Sequence, residues 1–222
     1  MTHKAREFLV RQQTQIINGI RAHLGEFGVV IPKGIQNAPR VIEACDSAKL
    51  PAPARKALNL LANPLIDTQK KIADLTRDVQ ASANRIGAAR RLQTIPGVGP
   101  ISASAFVASL PDISDFRSGR DLSAWIGLTP KPHSSGGKER LGRISKMGNR
   151  DLRRLLYLGA MAQVSARRRS ARRRGAPGED WLWNIIQRKK PKQAAIALAN
   201  RMARTVFALL KNGTEFEAAK AV

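Results

Sequence analysis

Apolar residues return at steps of three and four through much of the chain, the period of a helix with one buried face. Over residues 4–24, Phe8, Leu9, Ile16, Ile17, Ile20 and Leu24 keep this spacing, with Arg11, Gln12, Gln13 and Arg21 between them. The pattern predicts an amphipathic helix that ends at Gly25 and Gly28, followed by a loop at Pro32-Lys33-Gly34. A short helix is expected over 38–49, broken by Pro51 and Pro53. The most regular stretch follows. Leu58, Leu61, Leu65, Thr68, Ile72, Leu75, Val79, Ser82 and Ile86 alternate steps of three and four, a heptad seam that suits a coiled coil or a helical hairpin. Thr68 and Ser82 are weak seam residues, and Pro64 predicts a break or kink. The spacing leaves open whether the seam pairs with another chain or packs on its own domain.

After Arg90-Arg91 the texture changes, with frequent glycine and proline from Pro96 to Gly148. A helical pattern returns over 150–164 in Leu152, Leu155, Leu156, Leu158, Met161 and Val164. The run Arg167 to Gly175 reads as a basic break. A last helix is expected from Lys192 to Asn212, with Ile196, Ala199, Met202, Val206 and Leu209 on one face and Gly213 as its C-cap. Strand-like alternation is almost absent. The expected fold is mainly α: a helical linker or coiled-coil hairpin over 1–90, then a compact helical domain over 91–222.

Charge narrows the class. Lys and Arg number 39 against 16 Asp and Glu, a net of +23, which favours polyanionic partners. The isoelectric point near 11.5 is above the level expected of a nucleic-acid-binding domain, and the basic balance alone does not separate DNA from RNA or from an anionic membrane. A 43% hydrophobic share argues against wholesale disorder, and with aromatics at only 5% the core must be aliphatic. No apolar run is long enough to span a bilayer, so no membrane partner is expected. The single Cys45 excludes an internal disulfide, fits a reducing cytoplasm and reads as a small core residue.

Two segments carry candidate chemistry. The first, Leu92 to Ala103, contains Pro96-Gly97-Val98-Gly99 and has the look of a helix-hairpin-helix over 92–110. Glycines there let the backbone turn and approach a phosphate, whose oxygens the exposed N–H groups and the next helix would hold. The plainer alternative is a glycine turn between packed helices. The second is a Ser-Gly loop within 130–150. Ser134-Ser135-Gly136-Gly137 is flanked by Lys131, Lys138, Arg140, Arg143 and Lys146, with Arg150, Arg153 and Arg154 just beyond. Cations neutralise phosphate, and a serine hydroxyl among them has the chemistry to attack phosphorus. Spacing alone equally suits a plain phosphate-binding loop or a solvated basic face. The basic run at 167–174, with Trp181 and Trp183 after it, suits contact with a nucleic-acid backbone and stacking on an unpaired base, or tryptophans that anchor the last helix.

From Leu92 to Arg154 the order of Ile95-Pro96-Gly97-Val98-Gly99-Pro100, then Ser123 to Pro130, then Ser134 to Leu156 resembles the C-terminal domain of the Piv/MooV-type insertion-sequence transposases. The early run Arg6 to Gly28 resembles the helix that follows that family's front domain. The resemblance implies DNA transposition or site-specific recombination, with DNA as partner and, in some members, a guide RNA. It assigns the nucleophile to the serine directly before the loop glycine, here Ser135, with Ser134 the lesser candidate. Pro96, Gly97, Val98, Gly99, Lys131, Lys138, Arg140, Arg143, Lys146, Arg150, Arg153 and Arg154 are the candidate DNA-binding residues.

Members of that family begin with a RuvC-like domain whose four acidic residues bind divalent metal, so Mg2+ is implied for the full-length family and no metal site is expected in this chain. Asp46, Asp67, Asp74 and Asp78 read as solvated helix faces, and Asp112 and Asp115 as turn or cap residues. The chain is therefore expected to be a fragment or remnant, half of a split enzyme, or a product read from an internal start. The alternative function is a non-catalytic nucleic-acid-binding remnant or regulator, joined to a like chain or to an intact transposase through residues 58–86. A structural RNA-binding protein would share the charge but not the order of motifs.

Overall fold

In the computed structural model, residues 1–47, 49–134, 141–175 and 180–217 are described. The chain forms two compact units, Met1–Val79 and Gln80–Val222.

The first unit begins with α1 (Thr2–Glu26), followed by a 3-10 turn at Ile35–Asn37, α2 (Ala38–Cys45) and most of α3 (Ala52–Arg85). The sequence periodicity becomes a core. Ile17, Ile20 and Leu24 of α1, Val41 and Cys45 of α2, and Leu58, Ala62 and Leu65 of α3 share one buried cluster. Arg6 Nε donates to Thr76 Oγ1 at 2.7 Å, joining the start of α1 to the later part of α3. Arg21 folds back and donates from Nε and Nη2 to the Ile31 carbonyl at 2.8 and 2.7 Å, fixing the loop after α1.

One expectation fails here. Helix α3 runs through Pro64 without a break. Proline at 64 removes one donor to the Leu60 carbonyl, and both residues are exposed, so water can take that carbonyl's place for the missing N–H. Along the seam, Leu58, Leu65, Thr68 and Val79 are buried, whereas Leu61 and Ile86 stay exposed.

The second unit holds the end of α3, α4 (Gly87–Gln93), α5 (Pro100–Ser109), α6 (Gly119–Ile126), α7 (Arg150–Arg174), α8 (Trp181–Arg188) and α9 (Pro191–Asn212). Helix α9 lies at its centre, packed chiefly on α7 and α6. Its inward stripe is Ala194, Ala195, Ala199, Met202, Ala203, Val206 and Leu209. Small residues let neighbouring helices approach closely, which is how a chain poor in aromatics builds a dense core. Leu92, Phe106, Leu122, Ile126, Leu152 and Leu156 complete it from the surrounding helices. Gly213 caps α9 in the left-handed region at φ 67°.

Further corrections belong to this unit. The arginine run is no break, because α7 continues to Arg174 and stops at Gly175. Arginine is a good helix former, and cations in the last turn suit the negative end of the helix dipole. A helix at 181–188 was not foreseen. Nor was a pair of short strands, β1 (Pro130–Pro132) and β2 (Leu141–Ile144). The two compact units meet in sequence at Val79 and Gln80, within α3.

Candidate nucleic-acid interface

The serine loop hangs from β1 and β2, which pair antiparallel with Pro130 opposite Ile144 and Pro132 opposite Leu141. Two prolines in β1 leave the ladder short of donors, so other bonds must hold its root. Helix α6 ends at Gly127 in the left-handed region, φ 81°. Ser145 N–H donates to the Thr129 carbonyl at 2.9 Å, and Lys146 N–H to the Gly127 carbonyl at 3.1 Å. The next turn presses on the same place. A Cβ on Gly127 would overlap the Met147 carbonyl, and one on Gly148, φ 76°, would overlap the Trp125 carbonyl. Arg153 closes the root from α7, donating from Nη1 to the Ile126 carbonyl at 2.6 Å and to the Met147 carbonyl at 3.0 Å. Asn149 caps α7 by accepting from the N–H groups of Asp151 and Leu152, both at 3.1 Å. Lys146 itself sits at φ 57°, a conformation that costs a non-glycine residue about 1 kcal/mol and that the surrounding bonds maintain.

The predicted site residues divide accordingly. Ser135, Lys138 and Arg140 lie outside the described residues. Lys131, Arg143, Lys146, Arg150 and Arg154 are exposed around the loop root. Arg153 differs: its guanidinium is held by two carbonyls, and burial, then the charge of Arg150, lowers its pKa. It positions the loop root.

The glycine turn at 96–99 also reads differently in place. It joins α4 to α5, but a Cβ on Gly97, φ 86°, would collide with the Gly159 carbonyl, and one on Gly159 with the Gly97 carbonyl. Gly97 therefore serves close packing on α7. Val98 is buried and its N–H donates to the Ile95 carbonyl at 3.0 Å, so it is a core residue. Pro96 and Gly99 remain exposed beside it.

Sequence reasoning missed a groove of about 1190 Å³ alongside the hairpin. Gly142, Arg143, Ile144 and Lys146 line one part, and the outward face of α9 lines another with Ile196, Asn200, Arg201, Arg204 and Ala208. The guanidinium of Arg201 stands over the Trp181 ring, 4.7 Å from its centroid. Ile196, expected on the inward face of α9 with Ala199, Met202, Val206 and Leu209, is half-buried and lines this groove instead. Arg167, counted in the basic run, is paired with Asp180, whose carboxylate also caps α8 by accepting from Trp183 N–H at 2.8 Å. Asp112 acts as the turn residue expected, accepting from Ser114 N–H at 2.9 Å, and that bond lowers its pKa. Cys45 is in the first core and donates to the Val41 carbonyl; burial, then the charge of Asp46, raises its pKa.

Residues 89–175, from α4 to the end of α7, match the Transposase IS116/IS110/IS902 family. Over that segment the chain is similar to those transposases. It is 41% identical to a probable family 20 transposase of Pseudomonas aeruginosa over 96% of its own length and 63% of that protein. It is 37% identical to the transposase for insertion sequence element IS1111A of Coxiella burnetii, over 93% of this chain and 57% of that one. A more distant likeness, 27% identity over 57% of this chain and 38% of the other, is to a pilin gene-inverting protein of Moraxella bovis. The chain thus spans roughly three fifths of the first two relatives. No helix among the described residues is long and apolar enough to cross a membrane.

Proposed function

We propose that this chain is the serine-bearing, DNA-contacting part of an insertion-sequence transposase, with Ser135 as nucleophile. The observation that carries the reading is the construction of the loop root. Backbone bonds, two interlocked glycine turns and Arg153 fix where β1 and β2 emerge, and Lys131, Arg143, Lys146 and Arg150 surround that point. A catalytic loop needs such a rigid base and such a cationic setting for phosphate. In the proposed step the Ser135 oxygen bonds to a DNA phosphorus, one sugar–oxygen bond to that phosphorus breaks, and the serine proton ends on the departing sugar oxygen. The product is a phosphoserine link that a second strand's hydroxyl resolves by the reverse displacement.

A divalent metal, implied by the resemblance, would need converging carboxylates. Among the described residues no three His, Cys, Asp or Glu side chains come together as a metal requires, so they do not fit such an ion and no step here runs through one. The acidic groups that activate the serine are assigned to a further domain of the kind the longer relatives have room for. Guide RNA suits the same cations. Pairing with another chain through 58–86 is left with the exposed Leu60, Leu61 and Ile86.

The test is excision of a marked element by this chain joined to, or supplied with, the front domain of a relative. Ser135→Ala should abolish excision and the covalent protein–DNA species, whereas Ser134→Ala should retain both. Full excision by Ser135→Ala would overturn the assignment and leave the reading of a non-catalytic nucleic-acid binder.

A further inference from the structure

We infer that the groove between the hairpin and α9 is a binding site for a single, unpaired strand of DNA. This deepens the function proposed above and rests on it for the identity of the polymer. Three features converge. First, the face of α9 that lines the groove runs from Gln193 to Asn212, so at the helical rise it presents a track of roughly 28 Å. A track of that length suits several successive nucleotides rather than a small ligand. Second, the track pairs cations with apolar surface. Arg204 on α9 and Arg143 and Lys146 beside the hairpin are exposed, and Ile196, Ala197 and Ala208 add apolar surface to the same lining. A duplex keeps its base faces stacked inside and offers phosphates alone; an unpaired strand offers phosphates and base faces together, as this lining requires. Third, Trp181 edges the groove with 39% of its surface exposed and Arg201 stacked upon it. An exposed indole backed by a guanidinium is a platform for a base.

Glu215 and Glu217, in the segment that follows α9, also line the groove. Carboxylates repel phosphate, so the strand's backbone is steered toward Arg204, Arg143 and Lys146. The groove shares Arg143 and Lys146 with the root of the serine loop, so a strand lying in it is led toward that loop.

The experiment measures binding of a labelled single-stranded DNA oligomer, the matching duplex and the matching single-stranded RNA to the full chain and its variants. Wild type should bind the single strand more tightly than the duplex and quench tryptophan emission on doing so. Trp181→Ala should weaken single-strand binding about tenfold, and Trp181→Phe should restore most of it, because the loss is that of one stacked base. Arg204→Glu should weaken single-strand binding and lower the salt slope by about 0.7, the amount that corresponds to one phosphate no longer neutralised. The melting temperature of each variant controls for folding, and Arg204→Glu, on an exposed position, keeps the question answerable if Trp181→Ala unfolds. Single-strand affinity within twofold of wild type in folded Trp181→Ala and Arg204→Glu proteins would overturn the site, as would tighter binding of duplex or of RNA. Excision that needs Ser135 with groove variants that bind normally would remove the groove alone; normal groove binding with excision indifferent to Ser135 would remove the nucleophile alone.

Discussion

Arg153 shows how a residue chosen for its charge can be bound to its own fold. Its guanidinium donates to two backbone carbonyls that belong to different turns, Ile126 and Met147. Replacing it with methionine removes both bonds and exposes or orphans those carbonyls, so Arg153→Met should cost about 1.5–3 kcal/mol of stability in a denaturant titration. The equivalent change at exposed Arg150 should fall within about 0.5 kcal/mol. The glycines at 127 and 148 set the same joint by backbone rather than side chain. Alanine at either meets a positive φ and a carbonyl in its path, so each should lower stability by about 2–4 kcal/mol, read as a fall in Tm. Cys45 gives a pH test. Burial raises the thiol's pKa in the folded state, so the native protein keeps a proton that the unfolded chain releases first as pH rises. Its contribution is complete below the unfolded thiol's pKa and fades as pH climbs toward the folded one. Stability should therefore decline on the alkaline side, and Cys45→Ala should flatten that decline relative to wild type.

At the scale of elements, Pro64 is the informative misfit. It lies exposed in the middle of a long, unbroken helix, where proline forfeits a hydrogen bond and crowds the preceding turn. Pro64→Ala should stabilise the protein by about 1–3 kcal/mol, shown by a higher denaturant midpoint at unchanged slope. Asp180 is the converse, an acidic residue whose carboxylate both caps α8 and pairs with Arg167. Asp180→Ala should cost about 1–2 kcal/mol, mostly through the lost cap. These elements also mark the limits of what the sequence discloses. Helices α1 and α9 were legible because an apolar stripe is their reason to fold, whereas α3 was legible as a seam but not as one unbroken helix, since Pro64 signals a break. Helix α8 was not, since eight residues carry little periodicity, although Asp180 at its start and Pro191 opening the next helix were available signals. The strands flanking the serine loop were invisible because their pairing follows from the anchored turns at 127 and 148, which meet across a long separation in sequence. The glycines at 97 and 99 were read alike, yet only Gly97 meets a second backbone, and the sequence does not say that its neighbour is Gly159. Of the candidate site, the loop and its cations were legible from composition, whereas the groove depends on which face α9 turns outward.

For the molecule as a whole, the net charge of +23 acts on two equilibria in opposite directions. Like charges at this density repel within the folded chain, an effect that pairs of the Arg167–Asp180 kind offset locally. Raising monovalent salt from about 50 to about 200 mM shortens the screening length and relieves that repulsion, so the free protein's Tm should rise. The same salt competes with the protein for phosphate, because binding a strand releases the counterions condensed along it, and affinity should fall with a log–log slope of about −0.7 for each phosphate held. A surface whose charge exists to meet a polyanion shows both responses at once. A Tm that stayed level while affinity fell steeply would mean that the cations are already balanced or too widely spaced to repel, and that the binding surface is a local patch. An affinity indifferent to salt would mean that phosphate binding contributes little, and would remove the ground for reading the surplus of arginine and lysine as a DNA-binding device. Sulfate at matched ionic strength separates screening from occupation: an anion that seats itself among Arg143, Lys146 and Arg204 should raise Tm beyond the effect of chloride, and Arg204→Glu should abolish the difference.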